Sequence, residues 1–135
     1  MNPSEIKRIQ ANWKTVIEDG DAFVERFYGY LFEIDPNLQS LFKRSMEMQG
    51  RKILSMFNSA VEHMGQPEKI LPPLIAAGHR HIQYGVKQND YATVRQAFLK
   101  ALAETLGDQF DTQTERLWDQ AYSNIQDIMS SAHFR

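Results

Sequence analysis

His81 is the side chain best placed for chemistry. Three, four and seven residues before it stand Gly78, Ala77 and Leu74, so at helical spacing it emerges from an apolar face with small neighbours. An imidazole in that setting has two uses. It can be a core histidine bonded to a backbone carbonyl, or an axial ligand to a flat cofactor whose ring needs small neighbours to approach the helix. Tyr28, Gln49 and Phe42 bear on the choice. Singly each reads as an ordinary amphipathic position; together they supply a polar pair and an aromatic wall that could face His81 across a pocket. The other histidines are His63, His79 and His133. His79 lies two residues from His81, about 200° round a helix, so the two rings cannot grip one ion from the same helix.

Other chemistries lack their residues. The chain has no cysteine, which excludes disulfides, zinc fingers, iron–sulfur clusters, thiolate nucleophiles and thiolate-ligated or CxxCH-attached haem. It has no Gly-rich phosphate loop, no HExxH, no GxSxG and no EF-hand loop. With 15 basic against 17 acidic residues the net charge is -2, so no basic face is expected to bind nucleic acid. No stretch approaches 18 uninterrupted apolar residues, and the opening MNPSEIKRIQANW carries helix-start chemistry rather than an apolar leader. The expectation is a cytoplasmic domain with no membrane span.

The elements that must position these residues are helices. Ile6, Ile9, Trp13, Val16 and Ile17 form one stripe, with Asn2 or Ser4 as its cap; Phe23, Phe27, Tyr30, Leu31 and Ile34 form a second, ended by Pro36. Leu38, Leu41 and Phe42 fit a short helix started by that proline. After the polar stretch from Lys43 to Met48 a third long stripe runs from Ile53 to Met64 and stops at Gly65-Gln66-Pro67. The segment from Glu68 to Val86 contains Pro72-Pro73, which predicts a helix broken at that pair or beginning there. Asn89-Asp90 restarts the chain into a helix ended by Gly107-Asp108, and the last helix begins near Asp111 or Thr112. No run alternates with period two for long enough to make a strand. The fold class is all-α: six or seven helices with short connections in a single domain, residues 1–135.

Placed in order, these residues resemble the globin family. Phe27-Tyr28-x-x-Leu31-Phe32, then Pro36, then Leu41-Phe42, is similar to the second helix, short third helix and corner of bacterial globins. Gln49-Gly50-Arg51-Lys52-Ile53 resembles the start of their distal helix. Gly78-His79-Arg80-His81-x-x-x-Gly85-Val86, with Tyr91 ten residues after His81, resembles their proximal segment, and Trp118-x-x-Ala121-Tyr122 fits the last helix. The likeness runs from Ile6 to Met129. It is closest to single-domain bacterial haemoglobins and the globin domain of flavohaemoglobins, with some likeness to neuroglobin around His81.

That resemblance implies a globin fold enclosing a pocket for haem b. It implies His81 as the proximal iron ligand through Nε2, with Nδ1 toward a carbonyl or Tyr91. Phe42 would wedge the porphyrin. Tyr28 and Gln49 would be distal donors that stabilise negative charge on bound oxygen, Ile53 the apolar neighbour limiting access, and Lys52 or Arg80 a partner for a propionate. A last-helix glutamate of flavohaemoglobins aligns with His133, so strong electron donation through His81 toward peroxidase-like chemistry is not expected. Gln49, where many globins have histidine, argues against a bis-histidine resting state. The expected function is reversible oxygen binding at a pentacoordinate iron, for storage or delivery, with nitric oxide or carbon monoxide as further ligands, in a monomer or weak homodimer. The alternative is nitric oxide dioxygenation with electrons from a separate reductase; a gas sensor ranks behind both.

Overall fold

Four of the helical elements start where the sequence offers a side-chain acceptor to their first amides. The computed structural model describes residues 1–42 and 46–131. α1 (Pro3–Ile17) is capped reciprocally: Asn2 Oδ1 accepts from the Glu5 amide at 2.8 Å, and Glu5 accepts from the Asn2 amide at 2.9 Å. Asp19 caps α2 (Gly20–Ile34) through the Ala22 amide. Asp35 does the same for a short 3-10 helix, Pro36–Leu41, through the Asn37 amide. Asp111 caps α6 (Thr112–Ser130) through the Thr114 amide at 2.8 Å. Between them run α3 (Met46–Glu62), α4 (Pro67–Gln83) and α5 (Gln88–Leu106), with a 3-10 turn at Gly107–Gln109. Among the described residues every regular element is helical, as the periodicity predicts.

α4 departs from expectation. It begins at Pro67 and runs through Pro72-Pro73 unbroken. The carbonyls that lose their helical partners at those prolines belong to Glu68 and Lys69. Those two residues and both prolines are exposed, so water can replace the missing bonds. The opposite face, Leu74, Ala77 and Gly78, is buried, and burial of that face holds the helix together. α5 also begins slightly early, at Gln88. Asp90 still supplies the start signal, but by reaching back to accept from the Lys87 amide at 2.8 Å. α3 takes in Met46 to Met48 from the stretch read as polar connection; residues 43–45 lie outside the described residues.

The core has two parts. The larger is rich in aromatics and is drawn from α1, α2, the first 3-10 helix, α3, α5 and α6. Trp13 meets Phe23 edge-on at 5.7 Å, and Phe98 lies 4.4 Å from Phe57 and 5.1 Å from Tyr122, centroid to centroid. Each large side chain buried there contributes about 1.5–3 kcal/mol. The two indole N–H groups are satisfied: Trp13 donates to Asn58 Oδ1 and Trp118 to Asn12 Oδ1. The smaller cluster gathers Leu74 and Ala77 of α4, Tyr91 at the start of α5, Ala60 of α3, and Ile125 and Met129 of α6. Met56, half-buried on α3, packs against both clusters.

Candidate functional site

The expected site residues divide between the two clusters. Beside the smaller one, next to its Tyr91, His81 sits near the C-terminus of α4 and is half-buried, while His79 is exposed. The way α4 ends fixes the histidine backbone. Gly85 adopts φ +90°, the left-handed conformation that favours glycine. The Gly85 amide then donates to the Ile82 carbonyl at 3.1 Å, and the Val86 amide to the His81 carbonyl at 2.9 Å. This is a Schellman stop in which His81 supplies the reaching carbonyl. Its ring is held from the next helix: the Tyr91 hydroxyl lies 3.5 Å from His81 Nδ1, and the ring centroids are 5.9 Å apart. Tyr91 is buried, and burial pushes its phenol upward in pKa, so it stays a neutral donor or acceptor beside the imidazole.

On the larger cluster Tyr28 and Phe42 come together. Tyr28 is 8% exposed and lies in an aromatic cage: Phe42 meets it edge-on at 5.3 Å, Phe32 stacks on it at 5.7 Å, and Phe27 lies at 5.9 Å. Its hydroxyl donates to the Met46 carbonyl in the first turn of α3 at 3.2 Å. Desolvation pushes the Tyr28 pKa up to about 12, so the group remains a protonated donor throughout the neutral range.

α2 and α3 cross at Gly50, the residue after Gln49. A Cβ there would fall 2.7 Å from Val24 Cγ1 and 3.7 Å from the Tyr28 hydroxyl oxygen. Only a residue without a side chain lets the two helices approach this closely. Gln49 is half-buried beside that crossing, and Ile53, one turn further, is half-buried against the larger cluster. The two halves approach each other where the 3-10 helix ends. Leu41 Cδ2 lies 3.7 Å from where a Cβ on Gly85 would be, so the residue before Phe42 touches the turn that stops the His81 helix.

The sequence also drew attention to Lys52, Arg80, His63 and His133. Lys52 and Arg80 are both exposed. His63 has its Nδ1 3.0 Å from the Ser59 carbonyl of its own helix, the ordinary fate of a helical histidine. His133 lies outside the described residues. Three participants were given no role from the sequence: Phe32 and Gly50, which stand within the globin-like motifs, and the Met46 carbonyl. Phe32 is legible in retrospect, because it stands four residues after Tyr28 on one helical face. Gly50 could have been suspected as the small residue beside Gln49. The Met46 carbonyl, a backbone acceptor, leaves no mark in side-chain pattern.

The fold and site define an all-helical domain with a half-buried histidine, ring-paired to a tyrosine, on one core cluster and a caged tyrosine on the other. The globin family model matches residues 25–129, and the chain belongs to the globin family. It is 31% identical over 123 residues to a flavohemoprotein of Halalkalibacterium halodurans, covering 89% of this chain and 30% of that protein. A flavohemoprotein of Bacillus subtilis is 26% identical over 125 residues, covering 90% and 31% respectively. The chain thus spans about a third of the length of these relatives. Its fold is similar to that of a hexacoordinated heme protein from an anhydrobiotic tardigrade, at TM-score 0.91 and 17% identity, covering all of this chain and 96% of that one.

Proposed function

We propose that this chain, as one globin domain over residues 1–135, holds haem b through His81 and binds oxygen reversibly. The division of the core carries the reading. A flat apolar group inserted at the seam between the two clusters, which Met56 joins and where Leu41 meets Gly85, would have His81 and Tyr91 to one side and Tyr28 and Phe42 to the other. The donor set suits it as well. Tyr91 faces Nδ1 of His81, and the other ring nitrogen, Nε2, is the one assigned to iron. Ala77 and Gly78, buried and small, keep the helix face beside the imidazole low. Both relatives carry haem in their printed name, as does the structural neighbour.

When bound, haem supplies the iron that takes a diatomic gas; the chain's residues decide how firmly. Phe42, fixed edge-on against Tyr28 and Phe32, is the wedge for the ring. Tyr28 and Gln49 are the donors on the far side from His81, and Ile53 narrows access. Tyr91 orients the imidazole and sets its basicity as a ligand. Lys52 and Arg80, being exposed, offer a propionate no more than about 0–1 kcal/mol each. Oxygen is the ligand favoured by a pair of hydrogen-bond donors, with carbon monoxide and nitric oxide binding the same site, in a five-coordinate resting state. The setting is cytoplasmic, and among the described residues no helix is long and apolar enough to cross a membrane. The reading is tested by stopped-flow oxygen release from wild type and Tyr28→Phe. A several-fold faster release is expected; an unchanged rate removes Tyr28 from ligand stabilisation.

The similarity to flavohemoproteins favours a second reading, nitric oxide dioxygenation with a reductase returning the iron to its ferrous state. Sustained nitric oxide consumption in the presence of a reductase supports it, and a single stoichiometric burst does not.

A further inference from the structure

Tyr28 carries one hydroxyl proton, and the structure already spends it. The acceptor is the Met46 carbonyl, which the helical ladder also pairs with the Gly50 amide. At 3.2 Å the contact is long for an O–H···O bond, whose usual length is about 2.7–2.8 Å. Phe27, Phe32 and Phe42 surround the ring and fix its plane. The hydroxyl proton can therefore turn about its C–O bond without any movement of the ring. Within that apolar cage an unpaired O–H is costly, so the proton goes to whichever acceptor is stronger.

Resting on the assignment of Tyr28 as a ligand-side donor, we propose that its hydroxyl is shared between the Met46 carbonyl and the gas ligand, so that a strongly accepting ligand draws it away from α3 and loosens that helix's first turn. Toward oxygen, which would gather negative charge when bound, the hydroxyl would redirect its hydrogen bond while keeping its proton. Carbon monoxide, a weak acceptor, leaves that bond on Met46. The Met46 carbonyl is thus a positioning group that makes ligand choice depend on acceptor strength. It also makes the start of α3 report which ligand is present.

The experiment is hydrogen–deuterium exchange of the haem-loaded full chain, read on peptides covering residues 46–52, in the ferrous ligand-free, carbon monoxide and oxygen forms. One modest hydrogen bond corresponds to about two- to tenfold in local opening. The expected result is slow, equal exchange in the ligand-free and carbon monoxide forms and about two- to tenfold faster exchange with oxygen. In Tyr28→Phe the segment exchanges fast in all three forms with no dependence on ligand. Equal exchange in all wild-type forms overturns the proposal, as does acceleration by carbon monoxide equal to that by oxygen. The wild-type comparison decides the matter even if the variant folds poorly. Oxygen release distinguishes the shared hydrogen bond from the distal donor itself. Faster release from Tyr28→Phe with a ligand-independent wild-type segment removes the sharing and keeps the distal donor; unchanged release removes both.

Discussion

Placing alanine at Gly50 opposes two effects whose balance the α2–α3 crossing decides. Inside a helix alanine is favoured over glycine by about 0.8–1 kcal/mol, because glycine loses more backbone freedom. Here the new Cβ would stand 2.7 Å from Val24 Cγ1, well inside contact distance. Valine is stiff about χ1, so the helices must separate instead, and overpacking of that kind costs about 1–3 kcal/mol. Gly50→Ala is therefore expected to destabilise by about 0–2 kcal/mol net. With 135 residues, each kcal/mol moves Tm by about 3–5 °C. The sharper test is a change of sign. In a Val24→Ala background the obstructing methyl is gone, and Gly50→Ala should become stabilising by about 1 kcal/mol. Urea unfolding of the four proteins in the cycle gives both numbers, and oxygen release from each reports whether Tyr28 moved. If Gly50→Ala stabilises the wild-type chain by the full propensity gain, or acts alike in both backgrounds, the close crossing is wrong.

Gly85→Ala tests the stop of the His81 helix: φ +90° strains any L side chain, so a loss of about 1–2 kcal/mol in urea unfolding is expected, together with faster haem loss to an apoglobin acceptor. Stability unchanged within 0.3 kcal/mol (roughly the noise of such cycles) would contradict the Schellman geometry. Burial raises the pKa of Tyr28, to about 12, and also those of Tyr91 and Tyr122. These phenols therefore contribute stability in full below about pH 10, the unfolded value, and lose it as pH climbs through their folded values. Thermal melts of the apoprotein should hold level to about pH 10 and then fall, with a weaker fall in Tyr122→Phe. A set of five tyrosines all titrating near pH 10 in the folded chain would refute this.

Periodicity made the helices legible, because nearly every stripe is the buried face of one element. The stripe of Ile9, Trp13 and Val16 is the buried side of α1, and that of Leu117, Ala121 and Ile125 is the buried side of α6. It misjudged Pro72-Pro73, since local propensity cannot see that both prolines face water while Leu74 and Ala77 anchor the helix from the other side. The resemblance to the globin proximal segment also implied the His81–Tyr91 pair, ten residues apart across a turn. It could not foresee where the Tyr28 proton goes. That depends on a backbone carbonyl eighteen residues away and on a glycine whose importance is the absence of an atom.

The central claim is that His81 holds a haem. Titration of purified apoprotein with hemin, followed by visible absorption of the ferric and ferrous forms, tests it most directly. The expected result is saturation at one haem per chain with an intense Soret band, a five-coordinate ferrous spectrum, and loss of tight binding in His81→Ala. A wild-type chain that develops no Soret band, or a His81→Ala variant that retains haem as tightly as wild type, would contradict it.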